Sequence, residues 1–293
     1  MSAIAFFGAV ELGLVYGFVA LGVFLAFRVL DFPDLTVDGS FPLGAGVAAV
    51  AITAGHDPWL ATLFAALAAA CAGLVTALLN QRFKILHLLA SILTMIALFS
   101  VNLRIMGRPN IAILTQETVL TPFYGLGLKD YMVRPIFLAV LVGVVVTLLA
   151  RFLSSDFGLA MRATGANPRM ARAQGIRTGL QVYAGMALSN ALVGIAGAMF
   201  AQTNGFADVT AGVGTIVIGL AAVIVGETLF RFGGIAVALI GCVLGSIIYR
   251  VAIALALSSD AIGLKASDLN LATAVLVALA LILPRLRGGA ARA

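Results

Sequence analysis

Charge is scarce in this chain: Asp, Glu, Lys and Arg make up 10% of its 293 residues, against 62% hydrophobic residues. A soluble surface needs roughly a quarter of its residues charged, so no soluble domain is expected. Histidine is down to two residues, His56 and His87, far apart and near opposite ends of apolar runs, which leaves no ligand set for a metal. The two cysteines, Cys71 and Cys242, both fall inside apolar runs. They are expected as small core residues and carry no disulfide framework. No Gly-x-x-x-x-Gly-Lys-Ser/Thr occurs, which removes a nucleotide-binding P-loop from this chain. No Ser-His-Asp or Cys-His arrangement stands out, so no catalytic residues are expected. The first basic residue is Arg28, behind the first apolar run, where a cleaved signal would carry its charge in front.

What is abundant is membrane-grade apolar sequence, with a mean hydropathy of +1.14. Runs longer than 18 residues recur, the signature of an all-helical protein that crosses the bilayer many times. Spans are expected at 5–27, 59–79, 88–106, 135–153, 180–201, 213–230, 234–257 and 269–283, with a broken element at 31–54 making about nine crossings. The pI near 9.8 reflects arginines in loops between spans and not a nucleic-acid surface.

Between the first two full spans lies Asp31-Phe-Pro-Asp-Leu-Thr-Val-Asp-Gly-Ser-Phe-Pro, a dense run of polar and helix-breaking residues. In hydrocarbon such sequence is tolerated only where it lines a cavity or is buried in protein. Its helical part, 42–54, rises only about 20 Å, too short to cross about 30 Å of hydrocarbon alone. Phe32-Pro-Asp-Leu-Thr36 is echoed 174 residues later by Phe206-Ala-Asp-Val-Thr210, and both precede Gly/Ala-rich helix. The echo divides a single transmembrane domain, 1–293, into halves 5–153 and 179–284, joined by a segment at 154–178.

Lys and Arg orient the chain. Placing 154–178 and the C-terminus in the cytoplasm puts Arg28, Arg82, Lys84, Arg151, Arg162, Arg169, Arg172, Arg177, Arg231, Arg285, Arg287 and Arg292 inside. Arg104, Arg108, Lys129, Arg134 and Lys265 fall outside. Five crossings then separate the two echoing motifs, which puts them on opposite faces, as in an inverted-topology repeat of a transport protein. Asp34, Thr36, Asp38, Asp208 and Thr210 are suited to cap the half-helices that follow, and with Ser40 they are also candidates for direct contact with a solute. Glu11 and Asn190 are further pathway candidates as polar residues within spans, although Asn190 is equally suited to bonding a neighbouring helix, and Arg250 is expected to snorkel outward. Gly13-x-x-x-Gly17 and Gly241-x-x-x-Gly245 permit close helix approach.

The 154–178 segment carries a punctuated helix: Asn167 is a strong N-cap, Pro168 suits the first helical position, and Gly175 suits the left-handed residue past the last turn. Arg169 and Arg172 share one face of it.

Gly158-Leu-Ala-Met-Arg-Ala-Thr-Gly-Ala-Asn-Pro-Arg-Met-Ala-Arg-Ala-Gln-Gly-Ile176 resembles the coupling segment of permease subunits of ABC importers in the branched-chain amino acid and sugar permease superfamily. The run 32–45 resembles their broken second helix. Where branched-chain members carry Asn-Phe and Gly-Glu, this chain has Asp31-Phe32 and Asp38-Gly39-Ser40. The resemblance implies a type II importer fold in the bacterial inner membrane, working as a homodimer with a cytoplasmic ABC ATPase dimer and a periplasmic solute-binding protein. It implies that Arg162, Asn167, Pro168, Arg169, Arg172 and Gly175 belong to the ATPase contact, that ATP and Mg are used by the partner, and that this chain binds no cofactor. The expected cargo is an amino acid or related compound. The binding protein is expected on 107–134, 202–212 and 258–268. An ion-coupled secondary transporter or a channel-like subunit is the alternative.

Overall fold

The structure, a computed structural model, describes residues 3–124, 130–230 and 234–257. The expected span at 269–283, the loop 258–268, and Lys129, Arg231, Lys265, Arg285, Arg287 and Arg292 lie outside the described residues.

Six described helices are long and apolar enough to cross a membrane. The first runs from α1 (Ala3–Val23) through a π-helical segment, Phe24–Val29. It is followed by α3 (Pro58–Gln81), α4 (His87–Met106), α5 (Asp130–Ser154), α8 (Thr178–Asn204) and α10 (Ile235–Leu257). Two helices are short: α2 (Val37–Thr53) follows the first break, and α9 (Thr215–Leu229) follows the second. Two small helices, α6 (Asp156–Ala166) and α7 (Pro168–Ala173), join α5 to α8. Strands β1 (Asn110–Ala112) and β2 (Phe206–Asp208) pair antiparallel, with Asn110 opposite Asp208.

Local chemistry sets these boundaries. Asp57 caps α3, accepting from the N–H groups of Trp59 and Leu60 at 2.8 and 3.2 Å, with Pro58 at the first helical position. Gly107 ends α4 and Gly205 ends α8, both with φ in the left-handed region that other residues enter at a cost. One boundary differs from expectation: α2 begins at Val37, five residues before Pro42. Pro42 sits inside the helix and leaves the Asp38 carbonyl without its usual donor. Gly212 packs against that opening, where an added Cβ would lie 2.0 Å from the Asp38 carbonyl oxygen.

Lipid offers no hydrophobic drive between helices, so close packing through small residues holds the bundle. α1 and α8 are its most enclosed long helices. A Cβ on Gly44 of α2 would lie 2.2 Å from the Gly194 carbonyl oxygen, and one on Gly197 would lie 2.0 Å from that of Phe41. The two small-residue motifs legible in the sequence act the same way, Gly13 against Ile247 and Gly245 against Ala222. α4 and α5 carry outward apolar stripes at helical spacing, Leu89/Leu93/Ile96 and Val140/Val144/Leu148. Cys242 is buried as expected, but Cys71 is exposed on α3. Arg250 does not snorkel: its guanidinium sits 4.0 Å over the Tyr16 ring, with Nε buried.

Helix α4 measures the distance between the two breaks. At its first residue, His87 packs on Phe32, ring centroids 4.4 Å apart. Just beyond its last turn comes β1, paired to β2. Twenty residues of α-helix span about 30 Å, so the two Phe-x-Asp-x-Thr motifs lie at opposite ends of one membrane-length helix.

Candidate functional site: two broken helices meeting in the bundle

The first break opens with a π segment, in which the Leu30 N–H reaches back to the Leu25 carbonyl at 3.1 Å and the Phe32 N–H to that of Ala26 at 2.9 Å. Such bulges recur at functional sites. Asp31 then takes φ +52, and the chain enters a fully buried polar cluster. Asp34 Oδ1 accepts from the Thr36 N–H at 2.9 Å, and its Oδ2 accepts from Asn190 Nδ2 at 2.8 Å. Asn190 Oδ1 in turn accepts from the Ser40 hydroxyl at 2.7 Å, and Nδ2 also donates to the Met186 carbonyl at 3.1 Å. Thr36 Oγ1 meets Thr76 Oγ1 at 2.7 Å.

Four expected pathway residues, Asp34, Thr36, Ser40 and Asn190, therefore come together from α8 and the first break, and α3 adds Thr76. A buried carboxylate without hydrogen bonds would cost several kcal/mol, and here both oxygens are engaged. Among the described residues no cation lies within salt-bridge distance of Asp34.

Capping works differently from the sequence expectation. Thr36 is the N-cap of α2 but makes no side-chain cap bond, because its hydroxyl is turned to Thr76. Asp34 closes a two-residue turn onto Thr36 and does not reach the first free amides of α2. Asp38 does cap a helix, but in the other half of the chain. Its carboxylate accepts from the Gly214 N–H at 3.2 Å and the Ile216 N–H at 2.8 Å, at the start of α9. This half-buried anion thus faces the partial positive charge of two helix N-termini, its own and that of α9.

Asp208 and Thr210 lie apart from this cluster, at the far end of α4. Asp208 Oδ1 accepts from the Thr210 N–H at 2.7 Å and its hydroxyl at 2.5 Å, and Oδ2 accepts from Asn110 Nδ2 at 3.2 Å. Burial pushes this carboxyl upward, but the bonds from Thr210 and Asn110 outweigh it and hold it below the ordinary carboxylate range. Glu11 is separate again, 3.9 Å from Arg134, whose Nε donates to the Tyr124 hydroxyl at 3.0 Å and whose Nη1 donates to the Thr203 carbonyl at 3.2 Å.

Sequence reasoning missed several groups. Thr76 is visible only as one polar residue in an Ala-rich helix. Gln202 ties Val119 to Thr62, with its Oε1 accepting at 3.1 Å and its Nε2 donating at 2.9 Å. Asn102 donates to the Gly39 carbonyl at 3.2 Å, beside the first break. Arg28, at the end of the π segment, pairs with Glu227 near the end of α9.

At the end of the bundle shared by Phe32 and His87, α7 has the expected punctuation. Asn167 Oδ1 accepts from the N–H groups of Arg169 and Met170 at 3.1 and 3.0 Å, Pro168 opens the helix, and Gly175 has φ +82. Arg162, Arg169, Met170 and Arg172 are exposed and Ala171 is buried. The preceding α6 was not anticipated; its signal was Ser155, whose hydroxyl accepts from the Gly158 N–H at 3.3 Å. Gly165 of α6 lies against the Val29 carbonyl, where an added Cβ would come within 2.0 Å. The exposed helix pair therefore rests directly on the first break.

Long apolar helices enclosing a polar cluster where two broken helices meet define a multi-pass membrane permease. The chain belongs to the family described as branched-chain amino acid transport system / permease component, whose model matches residues 5–284. It is accordingly the permease component of an ABC-type transport system and not itself an enzyme. It is 38% identical over 265 residues to the tyrosine transport system permease protein of Clostridioides difficile (strain R20291), covering 90% of this chain and 86% of that one. It is 36% identical over 222 residues to an uncharacterized protein of Rickettsia prowazekii (strain Madrid E), covering 76% of each. The fold is similar to that of a solved chain of PsaBC from Streptococcus pneumoniae in complex with Fab, with a TM-score of 0.52 and 16% identity over 94% of this chain and 89% of that chain.

Proposed function

We propose that this chain forms the membrane path of an ATP-driven importer that carries an amino acid from the periplasm to the cytoplasm. The observation that carries the reading is the Asp38 contact, which ties the start of one broken helix to the start of the other inside the bundle. An inverted repeat is supported by the positions of the helices. A shift of 174 residues carries the starts of α1, α2 and α3 to within four residues of those of α8, α9 and α10. The halves are 5–153 and 179–284, and a rocking of one against the other opens the path alternately to each side.

Basic residues set the orientation. Among the described residues Arg28, Arg82, Lys84, Arg151, Arg162, Arg169, Arg172 and Arg177 lie toward the α6–α7 end, against Arg104, Arg108 and Arg134 toward the β1–β2 end. The α6–α7 end is cytoplasmic, and the C-terminus lies with it. There α7 sits in a cleft of a separate ATPase subunit that supplies ATP and Mg, and Arg162, Asn167, Pro168, Arg169, Arg172 and Gly175 shape the contact. Its movement passes through α6 and Gly165 to the first break. A second copy completes a homodimer, and a solute-binding protein docks over 107–134 and 202–212. Asp34, Thr36, Ser40, Asn190 and Asp38 set the shape of the gate, while Glu11, Asp208 and Thr210 lie toward the periplasmic mouth. The tyrosine named for the Clostridioides relative makes an aromatic amino acid the first cargo to try.

The test is uptake of labelled tyrosine and other amino acids into proteoliposomes holding the purified complex and its binding protein. ATP-dependent accumulation is expected, with a loss of tenfold or more in R169E/R172E at normal membrane insertion. Uptake that ignores ATP and collapses with a protonophore would overturn the reading.

A further inference from the structure

A cavity of about 290 Å³ opens beside α7, lined by Asn80, Gln81, Lys84, Ile85, Leu86, His87 and Arg172. The solute path described above makes no use of it, and of its lining only Arg172 also belongs to the proposed ATPase contact. Lys84 and Arg172 bring two fixed positive charges to it, from the α3–α4 turn and from α7. His87 adds a ring nitrogen, and the Asp31 carboxylate acts on that ring electrostatically. The wall is braced: Asn80 Nδ2 donates to the Ile85 carbonyl at 2.8 Å, and Gln81 Nε2 donates to Asn80 Oδ1 at 2.7 Å. Arg28 and Glu227 neutralise each other, but neither Lys84 nor Arg172 has a carboxylate within salt-bridge distance among the described residues.

The surroundings indicate the source of the anion. Phe83 and Leu86 flank Lys84 and are 64% and 77% exposed, in a turn between two membrane-length helices. Large apolar side chains alternating with cations at a helix end suit the interface of a bilayer, where the tails meet hydrocarbon and the charges meet phosphate. We propose that this cavity binds the phosphate of an anionic phospholipid headgroup, held between Lys84 and Arg172. The site also reaches the gate, because His87 packs on Phe32, two residues before Asp34. A headgroup seated here therefore braces α7 against the first break. The site needs only a bilayer, so its test is independent of cargo and of ATP.

The full chain, purified with whatever partners accompany it and stripped of lipid in detergent, is offered phosphatidylglycerol, phosphatidylcholine, or inorganic phosphate at matched ionic strength. Retained lipid is counted by native mass spectrometry and stability is followed by thermal unfolding. Phosphatidylglycerol is expected to be retained and to raise the Tm, and phosphatidylcholine to do neither. Lys84→Gln should weaken retention about fivefold, the share of one interfacial cation, and Lys84→Arg should restore it. Inorganic phosphate reproducing the whole shift would overturn the lipid source and leave a free-phosphate site. Equal retention of both lipids, or retention unchanged in a folded Lys84→Gln/Arg172→Gln chain, would overturn the site itself.

Discussion

Asp34 and Asp208 close the same turn, each accepting the N–H of the threonine two residues on, at 2.9 and 2.7 Å, yet one is fully buried and the other faces the surface. The local code Phe-x-Asp-x-Thr specifies the turn in both places because an Asp side chain bonds the backbone two residues ahead whatever surrounds it. What differs is the second oxygen. Asp34 gives it to Asn190 and so to Ser40, tying the first break into α8. Asp208 gives it to Asn110 and so to a two-stranded sheet at the periphery. The same motif is thus an internal tie in one half and a surface latch in the other.

The largest break in this comparison should come from Asp34→Ala. It strands one N–H of the Asn190 amide, which keeps its bonds to Met186 and Ser40, and the Thr36 N–H in a dry interior, for a loss of about 3 kcal/mol. Thermal unfolding in detergent should fall by several degrees, and uptake should fall with it. Asp38→Ala should come next, with a loss of about 1 kcal/mol for one helix cap, read as faster amide exchange in the first turn of α9 while the rest of the bundle holds. Asp208→Ala should cost less than about 1 kcal/mol, because water replaces the lost partners. A drop after Asp208→Ala as large as that after Asp34→Ala would erase the distinction between tie and latch.

The smallest effect is a pH dependence confined to the latch. Asp208 is held below the ordinary carboxylate range, so its contribution is fully present above the unfolded value of about 3.9 and is lost as pH falls through the lower folded value. Amide exchange over 206–212 should accelerate in that acid window and not at neutral pH. Asp208→Asn should remove the dependence.

Much of this was legible because membranes impose crude rules. Apolar runs marked the long helices, and Asn167, Pro168 and Gly175 marked α7 at both ends, since caps are local chemistry. The partners of the polar residues were not legible. Asp38 was readable as a cap but not as the cap of α9, whose first amides lie 176 and 178 residues away. Asn190 looked like one amide in an apolar span until folding placed it between Asp34 and Ser40. The helical part reads as 42–54 in the sequence, and only packing against Gly212 shows how α2 starts earlier and accommodates Pro42 inside.

In the proposed function α7 is the docking element for an ATPase. The most direct measurement is affinity purification of the tagged chain from its native membranes in mild detergent, with mass spectrometry of what travels with it. A P-loop ATPase recovered in equal amount from wild type, and lost from R169E/R172E, is the predicted result. A stable chain that comes away alone, or an ATPase retained undiminished by the charge-reversed variant, would contradict it.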